Sequence, residues 1–140
     1  MKKIMWALLL VISFILSAAL CYAGNAATQG SYVKILELQP DPSVPLEAGS
    51  TVHFEVKLEY YVKEDSATVD LLIQKGEHSG GTDPFIGSVM EVLTHGKGVV
   101  TLEIEVKVPD TKAIQVFTPL GIPGQTQTSI VDMRFYKVIK

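Results

Sequence analysis

A two-residue alternation runs through the middle of this chain. Val52, Phe54, Val56, Leu58 and Tyr60 are apolar, and His53, Glu55, Lys57 and Glu59 between them are polar. Successive side chains of an extended strand point to opposite faces, so this is a strand with one dry and one wet face. The pattern returns twice. Ala67, Val69, Leu71 and Ile73 alternate with Thr68, Asp70, Leu72 and Gln74, and Val100, Leu102, Ile104, Val106 and Val108 with Thr101, Glu103, Glu105 and Lys107. Beyond the first two dozen residues no stretch has a helical period, and an all-β fold is expected.

Breakers divide the rest. Tyr32 to Leu38 reads as a strand closed at Gln39-Pro40-Asp41-Pro42, where two prolines remove ladder donors. Pro45 to Ser50 forms a second turn, in which Gly49 can take a positive φ. Lys63 to Ser66 and Thr94 to Gly98 read as turns, and Lys75 to Pro84 as a glycine-broken polar loop. Phe85 to Leu93 is a shorter strand. Pro109 to Lys112 turns the chain, and Ala113 to Thr118 is a strand ended by Pro119. A loop at Gly121 to Gln125 leads to the last strand, Ser129 to Ile139. About seven strands at this spacing predict a single immunoglobulin-like β-sandwich.

The first residues have a different character. Lys2 and Lys3 precede an apolar run from Ile4 to Leu20, followed by small residues. This is the layout of a secretory signal helix, with Ala23 as the residue before the cut. The predicted organisation is a signal peptide over 1–23, a flexible leader over 24–31 and the sandwich over 32–140. Two other fates stay open. The run is just long enough to span a bilayer as an uncleaved anchor, which would hold the chain to a membrane through the signal segment alone. Cys21 could be lipidated, although Leu20 stands where a small residue is wanted. Cleavage removes the only cysteine, leaving a periplasmic or extracellular domain without a disulfide. It also leaves ten basic against fifteen acidic residues. That balance argues against nucleic acid as a partner and against docking on anionic lipid.

The stretch Pro40-x-Pro42, with Leu46-x-x-Gly49-Ser50-x-Val52-x-Phe54-x-Val56-x-Leu58-x-Tyr60, resembles the opening of bacterial immunoglobulin-like modules of the cell-adhesion-related type. Gly98-x-Val100-x-Leu102-x-Ile104 with Val108-Pro109 is similar to their fifth strand. The resemblance implies a fibronectin-like sandwich and a surface or periplasmic setting. It implies no catalytic residues, and the paired cysteines and core Trp of antibody domains are missing.

No group of residues has the layout of a reaction centre. His53, His78 and His95 lack the short-spaced pair of a zinc site and read as solvated. Glu77-His78-Ser79-Gly80-Gly81-Thr82-Asp83 holds serine, histidine and aspartate in one loop, whereas triads are assembled from separate elements. Its acids are too sparse for calcium, and its glycines lack the lysine of a phosphate loop. No catalytic, metal or cofactor residue is expected, and a hydrolase is the most distant reading.

The wet faces differ. Glu55-x-Lys57-x-Glu59 and Glu103-x-Glu105-x-Lys107 are expected on neighbouring strands with opposite charges facing each other. On the other sheet, Leu72 falls on the outward register, Phe117 does so if Ile114 and Val116 face inward, and Tyr136 does so if Val131, Met133 and Phe135 are core. Three apolar residues there form a candidate contact patch. The competing reading is a bulge that swaps the last strand's register. The expected function is non-enzymatic binding of an envelope protein or glycan. The alternative is a structural or assembly role, such as a periplasmic chaperone or strand-exchanging subunit.

Overall fold

The computed structural model describes residues 30–76, 84–126, 128 and 130–140. Ala23, Cys21 and the loop around His78 lie outside them. Within them every element is a β-strand: β1 (Tyr32–Gln39), β2 (Leu46–Glu47), β3 (Thr51–Lys75), β4 (Phe85–Lys107), β5 (Ala113–Gly121) and β6 (Val131–Ile139). Ser31–Lys140 is one compact unit.

The long hairpin of β3 and β4 organises the sheet. The two strands pair antiparallel from Thr51↔Lys107 to Gln74↔Phe85. The first part of β3 pairs β1 on its other side, from Tyr61↔Tyr32 to Glu55↔Gln39. The last part pairs β5 instead, from Thr68↔Gly121 to Lys75↔Ile114. β6 continues beyond β5, and β2 adds two parallel pairs to β6 at Val138 and Ile139.

The changeover falls where two turns are expected from the sequence, and neither reverses the chain. β3 runs on through Lys63 to Ser66 with a register shift between Val62 and Ser66, directly across from Gly96 and Thr94. β4 runs on through Thr94 to Gly98, with Gly96 at φ +105°, a conformation nearly reserved for glycine. Breakers facing each other on paired strands irregularise both without ending either. Hence six long and short strands stand in place of about seven. Two smaller expectations change as well. β5 continues past Pro119 to Gly121, because Pro119 stands opposite Val131, where the β6 ladder stops and a missing N–H costs little. The second turn contains β2 and keeps Gly49 at φ +84°.

The two parts of the hairpin face each other across the core. Gly87, early in β4, would place a Cβ 2.8 Å from Val106 Cγ2, late in the same strand. Phe54 on β3 meets Tyr136 on β6 edge-to-face with ring centroids 5.4 Å apart, although β5 separates these strands in the sheet. The sheet therefore folds back on itself, and its inward residues make one core. Val56, Leu58, Val69, Leu71, Ile73, Ile114 and Val116 are fully buried in it. All belong to the dry faces that the alternation predicts.

Candidate functional site

The two outward faces have opposite chemistry. Over the first part of the hairpin it is charged: His53, Glu55, Glu103, Glu105 and Lys107 are exposed. The expected facing of opposite charges is not met, because the register sets Glu55 opposite Glu103, Lys57 opposite Thr101 and Lys107 opposite Thr51. Lys57 turns instead to Glu37 of β1 at 2.9 Å, and Glu59 takes Tyr32 Oη at 2.9 Å and Lys97 Nζ at 3.3 Å. The Tyr32 hydroxyl and the Lys97 ammonium hold the Glu59 carboxyl below its ordinary range despite some desolvation.

Over the second part the outward face is apolar. Alternation along β3 puts Thr68, Asp70, Leu72 and Gln74 outward, and pairing carries that face across three more strands. Leu72 sits between Ser88 and Phe117, and Phe117 lies opposite Met133. In the next row Gln74 lies between Phe85 and Gln115, and Gln115 opposite Phe135. Phe85, Met90 and Phe135 are each more than half exposed, and Met133 is 39% exposed. Leu72 and Phe117 are half-buried, and the Phe117 and Phe85 rings lie 5.9 Å apart. Gln74 Nε2 donates to Gln115 Oε1 at 2.9 Å, and Gln74 Oε1 accepts no hydrogen bond.

Of the three expected patch residues, Leu72 and Phe117 share this face as paired neighbours. Tyr136 does not. It is fully buried, its ring against Phe54 and its hydroxyl donating to the Pro40 carbonyl. Burial, with a smaller contribution from the nearby Asp41 charge, pushes its phenol well above the ordinary range. Val131, Met133 and Phe135 accordingly point outward. The reason lies across the core. Asp132 Oδ2 accepts the Ile35 backbone N–H at 2.8 Å, next to the β1 bulge between Ile35 and Glu37. An acceptor for β1 fixes Asp132 inward, and period two then sends Arg134, Tyr136 and Val138 the same way. Apolar residues stand at both parities of β6, so its alternation alone left the register open. Met133 and Phe135 were accordingly missing from the expected patch, and Phe85 and Met90 were missed because the stretch from Phe85 to Leu93 has apolar residues at both parities.

Elsewhere the described residues are chemically quiet. His53 Nε2 lies 3.6 Å from Glu103, and His95 Nδ1 lies 3.0 Å from the Lys63 carbonyl, both side chains exposed. No three His, Cys, Asp or Glu among the described residues gather at one point. An open depression between Gly49, Lys107, Pro109 and Lys140 holds a Lys140–Asp110 ion pair at 3.5 Å. No helix among the described residues is long and apolar enough to cross a membrane.

No protein-family model matches this chain, and no curated protein does. Among solved structures it is similar to part of a β-glucosidase from Listeria innocua. In complexes with gluconolactone and with glucose, that enzyme shows 18% identity at a TM-score of 0.46. Each match covers 81% of this chain and 16% of the enzyme. The chain thus spans less than a fifth of that protein's length.

Proposed function

We propose that this chain is an exported, non-enzymatic immunoglobulin-like β-sandwich module that binds a partner at the cell envelope through its apolar outer face. The observation that carries the reading is the contrast between the two outward faces. One is dressed in Glu, His and Lys, and the other presents Phe85, Met90, Met133 and Phe135 around Leu72 and Phe117. Charged side chains are depleted at interface centres, whereas Phe and Met are enriched there. Met adds shape adaptability through its flexible thioether stem. The partner is a protein ahead of a glycan. A glycan's hydroxyls need many hydrogen-bond partners, and Gln74 and Gln115, two amides in the middle of this face, bond to each other. Export rests on Lys2, Lys3 and the Ile4–Leu20 run with its small-residue exit at Ala23.

Two measurements test this. The intact mass of the protein recovered from cells should match a start at Gly24, and a diacyl adduct or a retained N-terminus would overturn the export route. A photo-crosslinking residue in place of Met133 should give a covalent protein adduct in envelope fractions, and Phe135→Glu should abolish it while leaving the melting temperature unchanged. Absence of any adduct would sink the binding role.

One observation favours the assembly reading. Among the described residues β4 pairs β3 alone, leaving its other edge free along the strand. Edges of this kind accept an added strand. A strand-exchange role predicts that a β4-edge complex survives Phe135→Glu.

A further inference from the structure

Among the described residues, the apolar face carries one unpaired charge of each sign at its two ends. Asp70 lies on β3, paired with Met90 and two residues before Leu72, so it shares the face with Leu72 and Gln74. It is half-buried, and among the described residues no cation reaches it; burial raises its carboxyl above the ordinary range. Lys137 lies on β6, paired with Ala113 and two residues beyond Phe135, so it shares the face with Met133 and Phe135. It is exposed and likewise has no carboxylate partner among the described residues. Three rows separate the two charges, which is about 20 Å along the strands and about 10 Å across two strand spacings.

We infer that the partner on this face is a second copy of the chain, docked face to face about a two-fold axis that sets each Asp70 against the other copy's Lys137. The inference rests on the binding role proposed above and names the partner. A two-fold interface must be complementary to itself. An axis lying in the interface and bisecting the line from Asp70 to Lys137 exchanges the two ends of the face. It then brings together four charges as two opposite pairs. The same axis passes between the two middle rows and lays Leu72, Phe117 and Met133 over the other copy's Gln115 and Phe135. An axis parallel to the strands would instead stack like ends on like ends, setting Asp70 near Asp70. The charges therefore choose the antiparallel docking. The half-buried carboxylate, costly alone, gains a cation there.

Charge exchange tests this directly. Sedimentation equilibrium of the protein purified from expressing cells should show a monomer–dimer equilibrium. Asp70→Lys and Lys137→Asp should each weaken the dimer at least about tenfold, since like charges then meet twice per interface. The double variant should recover affinity to within about threefold of the wild type, which a merely structural role for either residue would not produce. Thermal melts of each variant establish that it is folded; should Asp70→Lys not fold, Lys137→Asp paired with Asp70→Asn serves in its place, with dimerisation again weakened. A monomer at all concentrations, or failure of the double exchange to restore the dimer, overturns the inference. The Met133 crosslink separates this outcome from failure of the binding role. An adduct of twice the chain mass supports the dimer. A heterologous adduct overturns it and leaves the binding role standing, and no adduct removes both.

Discussion

Asp132 ties together two strands that never pair. Its carboxylate accepts the N–H groups of Ile35 and Met133 and lies 2.5 Å from the Arg134 guanidinium. Burial alone would raise its proton affinity, but the Ile35 N–H, the Arg134 charge and the Met133 N–H outweigh it and hold the carboxyl below its ordinary range. A depressed folded-state pKa adds stability above the unfolded value near 3.9, and that stability is lost as pH falls through the folded value. Urea midpoints should therefore fall below about pH 4 more steeply in the wild type than in Asp132→Asn. Asp132→Ala should cost about 1–3 kcal/mol at neutral pH, because the Ile35 N–H is left without its acceptor. Tyr136 works across the same core. Tyr136→Phe keeps the ring against Phe54 and loses the bond to Pro40, a cost of about 1 kcal/mol. Tyr136→Ala also empties the space the ring fills, at about 3–5 kcal/mol in denaturant melts. Equal costs for the two would mean the ring is not core.

At the scale of elements, the irregularity midway along the hairpin hands β3 from β1 to β5. Gly96 sits there with φ +105° opposite Val62, where β3 shifts register. A side chain at that φ is strained, so Gly96→Val should cost about 1–3 kcal/mol by calorimetry. Gly87 is needed for a different reason. Its φ is ordinary, but Val106 and Ile104 press against the space a Cβ would take. Gly87→Val should therefore destabilise by overpacking, and pairing it with Val106→Ala should recover part of the loss, a coupling that Gly96→Val will not show. Period-two alternation marks β3 and the last part of β4. It cannot separate a bend inside a strand from a turn between two strands, because Ser, Gly and His suit both. The distinction depends on what the opposing strand does at the same row.

At the scale of the whole molecule, one buried cluster joins residues from β1 through β6. Unfolding should be a single transition, with near-ultraviolet and far-ultraviolet signals coincident in urea. Val56→Ala should shift the midpoint by about 2–4 kcal/mol and Lys57→Ala by under about 1 kcal/mol, since Val56 is fully buried and Lys57 holds an exposed pair with Glu37. Comparable losses would mean the dry and wet faces are interchanged. The same division reaches the apolar outer face. Phe135, 55% exposed, can be changed to Glu at little cost to folding, and Tyr136 beside it cannot.

The sequence by itself determined the strand class, the dry faces of β3 and of the last part of β4, and the charged wet face, because each follows from alternation along one strand. It also marked Leu72 as outward and, with Ile114 and Val116 taken as inward, Phe117. The direction of β6 was a tertiary decision. Val131, Met133 and Phe135 are as apolar as Tyr136 and Val138, and hydrophobicity alone does not choose between two apolar parities. An acceptor was required at the Ile35 N–H of a strand nearly a hundred residues away, and Asp132 supplies it. That single long-range hydrogen bond accompanies Tyr136 into the core and leaves Met133 and Phe135 on the surface.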